Sequence, residues 1–250
     1  MKIHVGTSGF GYKEWKGKFY PEKISPKEML RFYAERLNTV EINNTFYHMP
    51  VANVLAAWAE QVTDNFIFAL KAPQVITHIK RLRSVSSETG YLFKSLSILN
   101  RKLGPVLFQF PKTFRADKEV LEHFLALIPR TALCAFEFRS PSWLEGGIPD
   151  LLRDKGFSWC IEDTDDQPIE EILSTAPWGY LRLRRSDYTD ADLSNWAEKI
   201  LSQQWEKAFV FFKHEDDGAK GPKLAMRFQE LVKPGTGEKQ DIRSVLAVGF

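Results

Sequence analysis

Eight short runs rich in β-branched and aromatic residues recur along this chain, and helix-patterned stretches lie between many of them. We read strands over 2–8, 39–46, 66–72, 105–110, 133–139, 158–163, 179–184 and 208–214. Helical spacing of apolar residues marks 25–37, 51–62, 116–128, 189–201 and 221–232. Ser25 and Glu28 have the spacing of a capping box, which predicts a helix start at that point. Strands alternating with helices demand a parallel sheet, because parallel neighbours need a long crossover between them. Eight such units in 250 residues fit a closed barrel better than an open sheet. The predicted fold class is therefore α/β: a TIM-type (β/α)8 barrel, one domain over 1–250.

Bulk properties narrow the function classes. A hydrophobic content of 44% can fill one large core, and a formal net charge of +2 gives no general pull toward nucleic acid or anionic membranes. Cys134 and Cys160 lie in apolar runs with no Cys-x-x-Cys spacing, so two buried thiols are expected rather than a disulfide framework or structural zinc. The N-terminal "MKIHVGTSG" has no long apolar segment, and no run approaches the ~18 residues of a membrane helix. The expectation is a cytoplasmic protein without a membrane partner.

The stretch "TVEINNTFYHMP" at 39–50 carries polar residues where a buried strand should be apolar. A barrel strand explains this, since alternate side chains face the helices and the barrel interior. Alternation sends Val40, Ile42 and Phe46 toward the helices and Glu41, Asn43 and Thr45 inward. The same sorting puts Lys71, Gln109, Glu137, Arg139, Arg182 and Arg184 inside. On the last strand it is read as Phe209 and Phe211 outside, Phe212 and His214 inside. Glu162 and Asp163 are adjacent, so only one of them faces in, and the sequence leaves the choice open. These polar groups fall late in their strands, at the C-terminal mouth where barrels of this type carry their chemistry.

The motifs "VGTSGFGYKEWKGKFYP", "FYAERLNTVEINNTFYHMP", "FIFALKAPQVITHIKRL", "GPVLFQFP" and "AFEFRSPSW" resemble, in order and spacing, those of the YecE-like family, domain of unknown function 72. The likeness covers nearly the whole chain. It implies a TIM-type barrel and a site, and no reaction. On matching positions it gives weight to Gly9, Tyr12, Trp15, Tyr20, Glu41, Asn43, Tyr47, Lys71, His78, Gln109, Glu137, Arg139 and Trp143. Phe10 stands where the family commonly has Trp, and "FFKHED" departs from its usual end of strand 8, so a role for His214 would be particular to this chain.

Glu41 and Glu137 are the carboxylates that alternation places inside, and such a pair can divide general-acid and general-base duties. The structural alternative pairs Glu137 with Arg139 or Lys71, and Glu41 with Arg184. Lys71 invites imine chemistry, although carboxylates beside it would hold it protonated. His78 adds a proton-transfer candidate. Arg139, Arg182, Arg184 and Lys71 suit an anion, which guanidinium forks bind in bidentate fashion. Gly218 and Gly221, before the last helix, give a weak phosphate-loop signal with Lys220 and Lys223. Tyr12, Trp15, Tyr47 and Trp143 are expected to wall a ring-binding pocket, with Asn43, Gln109 and His214 as further substrate contacts.

The leading expectation is an enzyme on a small anionic, ring-containing metabolite, with no cofactor and no metal. The second reading is a metal-dependent phosphoesterase acting on nucleic acid, with Glu41, Glu137, Asp163 and His214 as ligands; the third is a non-catalytic ligand-binding protein.

Overall fold

The computed structural model describes residues 1–213 and 218–233. His214 and the Gly-rich, then apolar tail from 234 onward lie outside the described residues. Eight strands form one ring: β1 (Lys2–Thr7), β2 (Thr39–Ile42), β3 (Ile67–Lys71), β4 (Leu103–Phe110), β5 (Cys134–Phe138), β6 (Ser158–Asp163), β7 (Trp178–Leu183) and β8 (Lys207–Phe212). All pair in parallel, in the order β1-β8-β7-β6-β5-β4-β3-β2. Helices α1 (Met29–Ala34), α2 (Ala52–Ala59), α3 (Ser86–Leu96), α4 (Lys118–Leu125), α5 (Ile148–Lys155), α6 (Asp190–Leu201) and α7 (Lys220–Leu231) pack outside. This is the TIM-type (β/α)8 barrel that the strand count predicts. No helix joins β6 to β7 among the described residues. Among the described residues, no helix is long and apolar enough to cross a membrane.

Local sequence sets the helix starts. Asp117 accepts a hydrogen bond from Val120 N at 3.1 Å and starts α4, and Thr189 with Asp192 forms a full capping box at α6. At Ser25 the expected cap differs. Its hydroxyl bonds the Glu28 carboxylate at 2.5 Å, so 25–28 is a turn and α1 begins only at Met29.

Ring closure between β1 and β2 departs from a regular ladder. Backbone contact there is one bridge, Ser8 to Glu41, with Gly9 N donating to Glu41 O at 2.8 Å. Side chains fasten the rest. The Tyr33 hydroxyl accepts from Thr7 N at 2.8 Å and donates to Thr39 O at 3.0 Å, while Asn38 Oδ1 accepts from Val5 N at 2.9 Å. Gly6 is required at this seam, because a Cβ would collide with the Thr39 carbonyl oxygen.

The outer core places Val40, Ile42, Phe68, Leu70, Val106, Phe108, Phe136, Leu181 and Leu183 against the helices, as alternation predicts. The inner core is separate. Trp178, Tyr180, Phe209 and Phe211 from β7 and β8 fill the barrel, opposite the small residues Ala69, Ala135 and Cys160. Large opposite small is how a narrow barrel reaches interior packing density. The predicted orientation of β8 is therefore corrected: Phe209 and Phe211 point in, while Phe212 packs outward on Phe228 of α7. "AFVFF" is apolar on both faces, so hydrophobicity alone could not set its phase. At the base, His4 stacks on Phe209 at 4.8 Å, and burial, then Lys2 and Lys207, lower its pKa to about 4.

Candidate functional site at the barrel mouth

Polar side chains crowd the C-terminal ends of the strands. Arg182, from β7, is the hub. Its Nη1 donates to Glu137 Oε2 at 2.6 Å and its Nη2 to Glu41 Oε1 at 3.0 Å, and all three side chains are buried. Glu41 also accepts from Ser8 Oγ at 2.8 Å, Asn43 Nδ2 at 3.0 Å and Tyr180 Oη at 2.8 Å. Glu137 Oε1 accepts from Gln109 Nε2 at 2.6 Å and Arg139 Nε at 2.9 Å. Two buried carboxylates around one buried guanidinium would be costly unless their lone pairs were satisfied, and here they are.

β6 supplies the residue that the sequence left undecided. Its pairing with β7 sets Glu162 beside Arg182. Glu162 faces in, and its Oε1 lies 3.4 Å from Arg139 Nη2, 3.5 Å from Arg184 Nε and 3.6 Å from Arg182 Nη1. Asp163 points the other way. It is buried against α6, bonded to Arg185, Tyr188 Oη, Trp196 Nε1 and Ile169 N. That anchor ties the helix-free β6–β7 connection to the barrel. The connection forms one side of a cleft of about 740 Å³ that Glu137, Arg139, Glu162, Arg184 and Trp159 also line.

Lys71, Phe46 and His78 form another group at the mouth. Lys71 Nζ sits 4.1 Å from the centre of the Phe46 ring, and His78 meets the same ring edge-on at 4.9 Å. Phe46 is thus not on the helix side as predicted. β2 ends at Ile42, and the chain turns through a 3-10 segment, Asn44–Phe46, which breaks the alternation. Thr45 consequently bonds the Lys71 carbonyl at 2.7 Å instead of lining the mouth.

Several predicted ring-wall residues are corrected. Trp15 is fully buried among Tyr12, Phe19 and Tyr20, and Trp143 is fully buried between Phe110 and Phe138, with Nε1 donating to Phe114 O at 2.7 Å. Neither has surface to offer a ligand. Tyr12 donates its hydroxyl to Ser8 O at 2.8 Å, and Tyr47 is exposed at the rim. Of the weak phosphate-loop signal, Lys220 pairs with Asp187 at 3.3 Å, and residues 214–217 ahead of it lie outside the described residues. The described members of the proposed metal set, Glu41, Glu137 and Asp163, do not come together. Arg182 bridges the two glutamates, Asp163 faces the helices, and among the described residues no cluster of three His, Cys, Asp or Glu side chains could hold a metal ion.

With this geometry in place, comparison with known proteins decides the family. The model of a protein of unknown function, DUF72, matches residues 4–244. The chain belongs to this DUF72 family. It is 32% identical to the UPF0759 protein YecE of Escherichia coli K12 over 128 residues, or 51% of this chain and 47% of that one. The chain thus spans about half the length of the Escherichia coli relatives it matches. It is 29% identical to the UPF0759 protein YunF of Bacillus subtilis strain 168 over an alignment covering 95% of this chain and 98% of YunF. Among solved structures, a DUF72 family protein from Thermotoga maritima is 25% identical with a TM-score of 0.81, covering 93% of this chain and 99% of that one. A β-mannanase from blue mussel, 9% identical with a TM-score of 0.53 over 91% and 92% of the two chains, shares the fold alone.

Electrostatics separates the carboxylates of this DUF72 mouth. Burial would raise the Glu137 pKa, but Arg182, Arg139 and Lys71 outweigh it and hold the group well below the usual range. Glu41 is likewise lowered, since Arg182 and the Tyr180 hydroxyl overcome its burial. Glu162 goes the other way, raised by burial and by the neighbouring Glu137 charge. The pair whose proton affinities diverge is therefore Glu137 and Glu162, not Glu41 and Glu137. Sequence reasoning left Glu162 undecided and missed Ser8, Tyr180 and Trp159. Strand parity could have found Ser8 and Tyr180.

Proposed function

We propose that this DUF72 protein is an enzyme acting on a small, anionic, ring-containing metabolite at the barrel mouth. Arg184 carries the reading. Its Nη1 is buried and has no hydrogen-bond acceptor. Burial, then Arg182, lowers its pKa, so it sits among positive neighbours with too little negative charge around it. At the mouth ends of the strands, the cations Lys71, Arg139, Arg182 and Arg184 outnumber the inward carboxylates Glu41, Glu137 and Glu162 by one. A buried, unpaired guanidinium N–H costs about 1–3 kcal/mol, which an oxyanion would recover.

Residue roles follow from exposure. Glu41 and Glu137 are saturated and hold Arg182 in place. Arg139 and Arg184 remain partly exposed and bind the anion. Glu162, partly exposed and raised in pKa, transfers the proton. Trp159, packed on Phe138 at 4.6 Å, gives the ring an apolar wall.

Inorganic phosphate and sulfate serve as probes. Titration of either should raise the melting temperature saturably in the native protein, and Arg184→Met should lose most of that rise. An equal rise in Arg184→Met and Arg139→Met would exclude this site as the anion-binding centre.

A further inference from the structure

Among the described residues, Lys71 is the inward-facing strand cation with which no carboxylate forms an ion pair. Sequence analysis expects nearby carboxylates to keep it protonated, and Glu41 and Glu137 are the inward candidates. Both instead spend their oxygens on Arg182 and the other donors, and among the described residues no carboxylate forms an ion pair with Lys71. Around it lie the Phe46 ring, 4.1 Å from Nζ, and His78 on the same ring; Arg182 from β7 and Arg139 just past β5 oppose its charge, while Glu137 and Glu41 favour it.

We infer that Lys71 is an amine nucleophile that forms an imine with the carbonyl carbon of an anionic aldehyde or ketone. This rests on the anion-binding reading of the mouth and adds the substrate's reactive group. A lysine becomes nucleophilic near neutral pH when it is desolvated beside other cations. Burial, then Arg182, brings the Lys71 pKa down to about 8. The Phe46 face favours the ammonium by only about 0.5–2 kcal/mol, too little to reverse that. The Lys71 backbone is fixed by Thr45, which donates to its carbonyl at 2.7 Å.

His78 shares the Phe46 ring and is carried on a π-helical turn, Val75–Ile79. Such turns recur at functional sites. Just beyond it, Arg81, Leu82 and Ser84 hold φ of 47°, 65° and 51°, a strained backbone costing about 1–3 kcal/mol per residue. Packing therefore keeps the His78 segment in a shape the chain would not choose alone.

The step balances without a further reagent. The neutral amine attacks the carbonyl carbon, and a C–N bond forms as the C=O π pair moves to oxygen. A proton passes from nitrogen to that oxygen, with His78 as relay. The proton that the ammonium released, held on His78, then expels the oxygen as water and leaves a protonated imine. Its charge equals that of the original ammonium, so the surrounding network sees no net change.

The test uses the full-length protein, pyruvate as an anionic carbonyl probe, and sodium cyanoborohydride to reduce any imine, followed by peptide mapping. The expected result is a saturable adduct on Lys71 whose rate rises with pH through about 8. At pH 7 that lysine should label on the order of 100-fold faster than an exposed lysine with a pKa near 10.4. Phosphate should compete. Because the readout is the native chain, it does not depend on a variant folding; Lys71→Arg then serves as a control that loses the adduct.

Labelling spread over surface lysines with Lys71 unmodified would overturn the imine. If phosphate still stabilised the protein through Arg184 in that case, the anion-binding reading would stand alone. Loss of the phosphate effect would remove both.

Discussion

Glu41 and Glu162 reach the same barrel mouth from β2 and β6, yet they live in opposite conditions. Glu41 is fully buried and accepts from four side chains, each at 2.8–3.0 Å. Glu162 is partly exposed, and its three guanidinium neighbours stand 3.4–3.6 Å away. One carboxylate is pinned below its normal pKa and the other is lifted above it. The same functional group thus serves as a fastener in one place and, in the function proposed above, as a proton carrier in the other. The number and closeness of its donors, not its residue type, decide which.

The most severe way to break this contrast is Arg182→Met. It strands two buried carboxylates, and removing one partner of a buried pair costs about 3–5 kcal/mol. Urea unfolding should show a loss of that size; a loss under about 1 kcal/mol would mean that Glu41 and Glu137 do not depend on Arg182.

Acid acts more gently on the same hub, because a proton removes charge but keeps shape. The folded pKa values of Glu41 and Glu137 lie below their unfolded values. Their contribution is therefore complete above about pH 4.5 and is lost as pH falls through the folded values. Melting temperature should drop in that window, and Glu41→Gln should flatten the drop.

Tyr180→Phe tests one fastening bond, from a hydroxyl that donates to Glu41 Oε2. Its cost should be about 1–3 kcal/mol by the same unfolding assay, since it leaves one buried lone pair unmet. Arg184→Met should change stability least, by about 0–1 kcal/mol, because its link to Glu162 is long and partly exposed. Should it instead prove as damaging as Arg182→Met, the outer tier would be structural too.

Much of the barrel was legible because parallel strands announce themselves by evenly spaced β-rich runs. Parity then placed Lys71, Gln109, Glu137 and Arg182 at the mouth, since each lies between apolar residues that must face the helices, and Arg139 follows two residues after Glu137. It failed where that phase signal vanishes. "AFVFF" is apolar on both faces, "NNTF" leaves the strand at Ile42, and the adjacent Glu162 and Asp163 give either assignment equal support. Trp15 and Trp143 misled for another reason: an aromatic loop residue can close a core as readily as it can meet a ligand. Arg182 as hub was hidden too, because distance across the barrel is not written in sequence spacing.

The Tyr33 hydroxyl has a wider consequence. Most of this ring is held by main-chain bonds, which every amino acid except proline can make and no ordinary replacement can delete. Between the first and second strands much of the closure instead rests on side chains, and one phenolic oxygen spans both edges. The hoop therefore has a clasp that loss of a single atom, in Tyr33→Phe, would loosen, and amide exchange at Thr7 is where the gap would first show.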